Sequence, residues 1–163
     1  MSAEGVWHFL QWLHYLALSL WTGGIVFLAG VTAPVAHRSM ASRAVAGEIV
    51  SKSLRVLNRI EMVCCMVLIG TTFSSFRFVQ MNREWLVALA MAFAFMGTVT
   101  CFYSFYLAPR MESMKENPAA HSLPEGSAVK TEFDKMHKIY VRLMSLNLVM
   151  GLGALYASVV IFQ

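Results

Sequence analysis

Charge is scarce in this chain. Only 13% of its 163 residues are Asp, Glu, Lys or Arg, where a soluble domain carries about 25%, while 58% are hydrophobic and the mean hydropathy is +0.59. An ordinary soluble domain is excluded. Cysteine is sparse too: Cys64, Cys65 and Cys101 all fall inside long apolar runs, a placement unlike that of an extracellular disulfide framework. Lys and Arg are missing from the opening "MSAEGVW", whereas a secretory signal starts basic, so the first apolar run is expected to be a retained span. No basic stretch is interleaved with aromatics, which argues against nucleic acid as a partner. The chain also lacks a serine nucleophile motif, a phosphate loop, HExxH and a carboxylate pair within one apolar run. With no catalytic set, a non-enzymatic protein is expected.

What is present are four apolar runs, at 6–33, 57–80, 85–109 and 138–162, each long enough for the roughly 20 residues that cross a bilayer core. They predict an all-α integral membrane protein, a single four-span domain folded as an up-down-up-down four-helix bundle. Eleven of the 13 Lys and Arg lie in two stretches, 38–59 and 110–142; only Arg77 and Arg83 fall between the second and third runs. By the positive-inside rule both long connections face the cytoplasm and both termini lie outside. The expected place is a bacterial inner (cytoplasmic) membrane, with the basic connections meeting anionic lipid head groups. Residues 35–57 read as a basic amphipathic segment between helices 1 and 2. "RFVQMNREW" reads as a tight outer loop and 116–127 as a Pro- and Gly-rich loop.

Lipid tails are as apolar as leucine, so membrane helices associate through close packing of small side chains and interhelical hydrogen bonds. Steps of three and four pick out such a seam in each span. In span one it is Leu16, Ser19, Gly23, Val26, Gly30, Ala33 and His37, ending beside Pro34; in span two Asn58, Glu61, Cys65, Leu68, Thr72 and Ser75. In span three it is Ala90, Ala94, Gly97, Cys101, Ser104 and Ala108, ending at Pro109; in span four Phe133, His137, Tyr140, Met144, Asn147, Gly151, Ala154 and Ser158. Gly23 and Gly30 are expected to pack. A second stripe of span one, Trp7, His14, Trp21 and Leu28, points the opposite way and suggests a partner membrane protein, or a neighbouring helix for His14 to bond.

Depth groups further candidates. Cys65, Cys101, Met144 and Asn147 share a level about 10–13 Å from the cytoplasmic boundary at 1.5 Å per residue, with His37, Glu61 and His137 nearer the cytoplasm. Cysteine, methionine and histidine suit a soft metal such as Cu(I), so Cys65, Cys101, Met144 and His137 are candidate metal ligands; packing is the alternative, and no CxxC or HxxxH supports a site. Glu61 and His137 are stronger functional candidates, because ionisable side chains within a span are costly and mark a pathway or partner. Glu61 could equally pair with Arg59, Arg142 or His137. His14, His37 and His137 are the candidate haem ligands. His14 and His137 lie about 25 Å apart along the normal, too far to share one haem. A bundle with neither copper nor haem is the first expectation.

"HYLALSLWTGGIVFLAGVTAPVAHR", "FYLAPRMESM" and "FDKMHKIYVRLMSLNLVMGLGALY" together resemble the transmembrane-protein-205-like family, catalogued as domain of unknown function 4149. The matching positions are His14, Trp21, Gly23, Gly24, Pro34, Pro109, Met111, Phe133, His137 and Asn147. His37 departs from the pattern, which has a larger apolar residue there. The resemblance implies a four-helix membrane fold; the family's activity is not established, though its animal member is linked with resistance to platinum drugs. Three functions therefore stand open: a non-enzymatic module handling or exporting a small ligand or soft metal, an accessory subunit of a larger membrane complex, and a haem- or quinone-binding redox protein.

Overall fold

The computed structural model describes residues 2–78, 83–116 and 128–162, all of them in helices and the turns that end them. Four of its helical rods are long and apolar enough to cross a membrane: Ala3–Ser39, Val45–Ser75, Arg83–Met114 and Val129–Phe162. The first rod is α1 (Ala3–Phe27), a π turn (Leu28–Thr32) and α2 (Ala33–Ser39). The second is α3 (Arg43–Ser75). The third is α4 (Arg83–Phe102), a π turn (Tyr103–Leu107) and α5 (Ala108–Glu116), and the fourth is α6 (Ala128–Phe162). Residues 79–82 of the outer loop and all but the first residue of the 116–127 loop fall outside the described residues.

Proline explains the two π turns. Pro34 and Pro109 each sit two residues beyond one. A proline inside a helix lacks the N–H for its backbone bond, and its ring clashes with the carbonyl four residues earlier. Here those carbonyls belong to Gly30 and Phe105, inside the turns. Widening the helix there, with Ala33 N–H bonding Leu28 O and Ala108 N–H bonding Tyr103 O, accommodates the ring and lets each rod continue. Pro34 and Pro109 thus end neither helical rod. The basic stretch 35–57 is likewise built into the two rods. Its first residues finish α2, Ser42 caps α3 by accepting from Val45 N at 3.3 Å, and the rest forms the opening turns of a 33-residue helix.

Each rod packs against its neighbours in sequence, and the first also packs against the last. The result is a closed ring of four helices around one core. Trp21, Phe93, Tyr103 and Tyr140 are its largest fully buried side chains, with Leu18, Ile25, Leu68, Leu86 and Met96 between them. At the basic end, Arg55 on α3 pairs with Glu112 on α5, and Arg110 on α5 meets Glu132 on α6 at 3.1 Å.

The seams divide into two kinds. Span two presents Asn58, Glu61, Leu68, Thr72 and Ser75 inward, and span four presents Tyr140, Met144, Asn147, Gly151, Ala154 and Ser158. In span three the buried face is Leu86, Leu89, Phe93, Met96, Thr100, Tyr103 and Leu107, the same stepping set one residue back. Span one differs most. Its inward stripe is His14, Leu18, Trp21, Ile25 and Leu28, while Ser19, Gly23, Val26 and Gly30 face outward. A Cβ added at Gly23 or Gly30 would meet nothing within 4 Å, so neither packs within the bundle. The close approaches occur elsewhere: Gly24 against Leu57, Gly97 against the Cys65 sulfur, and Gly151 against Thr22 and Met96.

Candidate functional site

Glu61 projects from α3 into the core and is fully buried. Neither Arg59 nor Arg142, both exposed, reaches it. Its Oε2 instead accepts the phenol hydrogen of Tyr103 from the π turn of the third rod. Tyr103 in turn lies 3.0 Å from Thr100 Oγ1, and Asn147 of α6 donates through Nδ2 to Thr100 Oγ1 at 2.9 Å, to Tyr103 OH at 3.4 Å and to the Met96 carbonyl at 3.3 Å. One turn toward the basic end, Tyr140 donates to Asn58 Oδ1 at 2.9 Å. Three rods therefore share one polar network in the core.

The network is not closed. Glu61 Oε1 and Asn147 Oδ1 are buried without a hydrogen-bond partner, as are the indole Nε1 of Trp21 and the hydroxyl of Ser104. Buried polar atoms are nearly always paired, so four orphans among the described residues mark this place out. Helix register brings Trp21 to the level of Glu61. Gly24, three residues beyond Trp21, touches Leu57, four residues before Glu61, and the two helices run antiparallel.

His14 forms a separate, finished cluster nearer the termini. Its Nδ1 lies 2.8 Å from Thr71 Oγ1 and its Nε2 3.0 Å from Ser158 Oγ, while the rings of Phe93 and Phe162 stand edge-on at 5.5 and 5.1 Å. The ring ties three rods together. With both nitrogens engaged it has no free position for an axial bond to haem iron, and its stripe is core rather than an outward contact. Trp21, on the same stripe, is core as well.

The other candidates form no single group, although Cys65 and Cys101 lie near enough to interact. Cys65 is half-buried and points its Sγ at the Phe93 carbonyl, 3.7 Å away; Cys101 is exposed, Met144 buried, and His37 and His137 exposed. His137 stacks on Phe133 at 6.2 Å. Among the described residues no three His, Cys, Asp or Glu side chains gather where they could hold a metal ion. The Met-x-x-Met spacing that does occur, Met111 and Met114, lies in α5 with both side chains packed on the core.

A family model described as Domain of unknown function (DUF4149) matches residues 16–119. The chain belongs to this family. No curated protein and no solved structure matches it. The DUF4149 match takes in Trp21, Glu61, Thr100 and Tyr103 and stops before Tyr140 and Asn147 on α6. Tyr103 and Thr100 escaped the periodicity reading because small residues one position on offered the same stepping. The signal that would have found them is the bulky heptad itself, Leu86, Leu89, Phe93, Met96, Thr100, Tyr103 and Leu107.

Proposed function

We propose that this DUF4149 protein is a non-enzymatic membrane module that takes up a small polar ligand between its four helices, with Glu61 at the centre. One observation carries this reading: a fully buried carboxyl with no basic partner among the described residues and one oxygen unbonded, joined through Tyr103 to Asn147, whose own oxygen is equally unbonded. Desolvating a charge costs several kcal/mol unless it is compensated, and a buried ionisable group inside a membrane span is by default functional. The likeness to transmembrane-protein-205-like proteins at Trp21, Pro34, Pro109 and Asn147 supports the same bundle. The basic end, with Arg38, Arg110 and Lys135 exposed, is the end we assign to the cytoplasm and to anionic head groups.

A membrane-permeant carbodiimide, which reacts with protonated carboxyl groups in apolar surroundings, tests the reading. In folded protein in lipid, Glu61 is expected to be labelled, while Glu4, Glu48, Glu84 and Glu132, exposed outside the apolar core, are expected to stay unmodified. Mass spectrometry of peptides reads the result. A Glu61 that stays unlabelled while the bundle is intact would sink the reading.

A second reading, an accessory subunit of a larger membrane complex, draws on the outward face of span one. Ser19, Gly23 and Gly30 leave room there for another helix to approach. Gly23→Leu is then expected to abolish a chemical cross-link between this chain and a co-purifying membrane protein, without unfolding the bundle. An unchanged cross-linking pattern counts against it. The haem reading gains nothing from the engaged His14, and the soft-metal reading has Cys65 near Cys101 but no group of three ligands among the described residues.

A further inference from the structure

The unbonded acceptors at the centre, Glu61 Oε1 and Asn147 Oδ1, are both oxygens. The hydroxyls of Thr100 and Tyr103 adjoin them through Asn147 and Glu61. Oxygen ligands select hard cations, whereas thiolates and thioethers select soft ones. Charge then narrows the class. Glu61 is the one Asp, Glu, Lys or Arg among the described buried residues. In a low-dielectric core a single negative charge is neutralised by one positive charge; a divalent ion would leave an uncompensated charge and the same desolvation cost. A proton and a small monovalent cation meet that condition.

We propose, resting on the reading of Glu61 above, that the centre is a monovalent-cation site at which an ion such as Na⁺ displaces the Glu61 proton. The carboxyl O–H bond breaks, the proton leaves to water, and the carboxylate with Asn147 Oδ1 holds the cation, so the net charge of the core is unchanged. Trp21 Nε1 is a donor and cannot ligate a cation. The titratable groups facing Glu61 are Tyr103 on the third rod, Tyr140 on α6 and Cys64 on its own helix. Between residues 16 and 36 the first rod carries no Asp, Glu, Lys, Arg, His, Tyr or Cys. Nothing on that side competes for the proton.

The test is protection of Glu61 from the carbodiimide, in purified full-length protein reconstituted in lipid, with LiCl, NaCl or KCl compared against choline chloride at equal ionic strength. At least one of the three small cations is expected to slow labelling about tenfold or more, with choline inert. Because one cation replaces one proton, the concentration giving half protection should fall about tenfold for each unit rise in pH while the site is mostly protonated. Asn147→Leu, which keeps the branched shape but removes the amide oxygen together with the Nδ2 donor, should raise that concentration about tenfold in protein whose helix content is unchanged. Labelling of Glu61 that none of the three cations slows more than choline overturns the cation inference and leaves the small-ligand reading standing. Protection with no pH dependence places the cation elsewhere and also overturns it. Absence of labelling removes both.

Discussion

Trp21→Ala should destabilise the bundle by about 3 kcal/mol, the largest loss expected from a single truncation here. Titration with SDS in mixed micelles, followed by helix content or a pair of distance probes, measures it. Trp21 is fully buried and the largest side chain in the core. In a membrane the transfer term is small, because lipid is as apolar as the protein interior. What is lost is the dense van der Waals contact and what is left is a cavity. Trp21→Phe separates ring from indole nitrogen. Since Nε1 has no hydrogen-bond partner in the bundle, Phe should cost less than half as much as Ala. A Phe variant as unstable as the Ala variant would show that Nε1 holds a partner, such as water at the Glu61 centre.

The second large effect is expected at Gly151. A Cβ there would lie 2.6 Å from Thr22 Cγ2 and 3.4 Å from Met96 Cε. Thr22 cannot easily turn aside: it is β-branched and its hydroxyl donates to the Leu18 carbonyl at 2.8 Å. Gly151→Leu must therefore push α6 away from the first rod, at a cost of about 3 kcal/mol, visible as a lower SDS midpoint. Gly23→Leu, on the outward face with nothing within 4 Å, is the control. It should be neutral, or stabilising by up to about 1 kcal/mol through helix propensity. If Gly23→Leu were the more disruptive, span one would be rotated from the orientation described.

Both pairs show how differently the four spans could be read. Spans two and four carry Asn58, Glu61, Asn147 and Ser158 at helical spacing, and a polar side chain in hydrocarbon has only the bundle interior as a favourable place. Their faces were therefore legible. Spans one and three offered small residues as the cue, and there the cue misled. Gly23 and Gly30 face outward, while the ring-bearing residues His14, Trp21, Phe93 and Tyr103 turn inward. Small residues are permitted at a helix contact and also permitted against lipid, so their spacing alone does not orient a helix.

The amino-acid sequence by itself determined the membrane, the number of spans and the helical class, and it singled out Glu61 as a candidate. Each follows from composition and length, since hydrocarbon demands about 20 apolar residues per crossing and penalises every buried charge wherever the chain folds. Only the tertiary structure decided which groups meet. It supplied Glu61 with Tyr103 rather than an arginine, joined Asn147 to that pair, engaged both nitrogens of His14, and carried the helices past Pro34 and Pro109 through π turns. Those outcomes depend on the rotation of each helix about its own axis, and a change of one residue turns a helix by about 100°, enough to move a side chain from the core to the lipid.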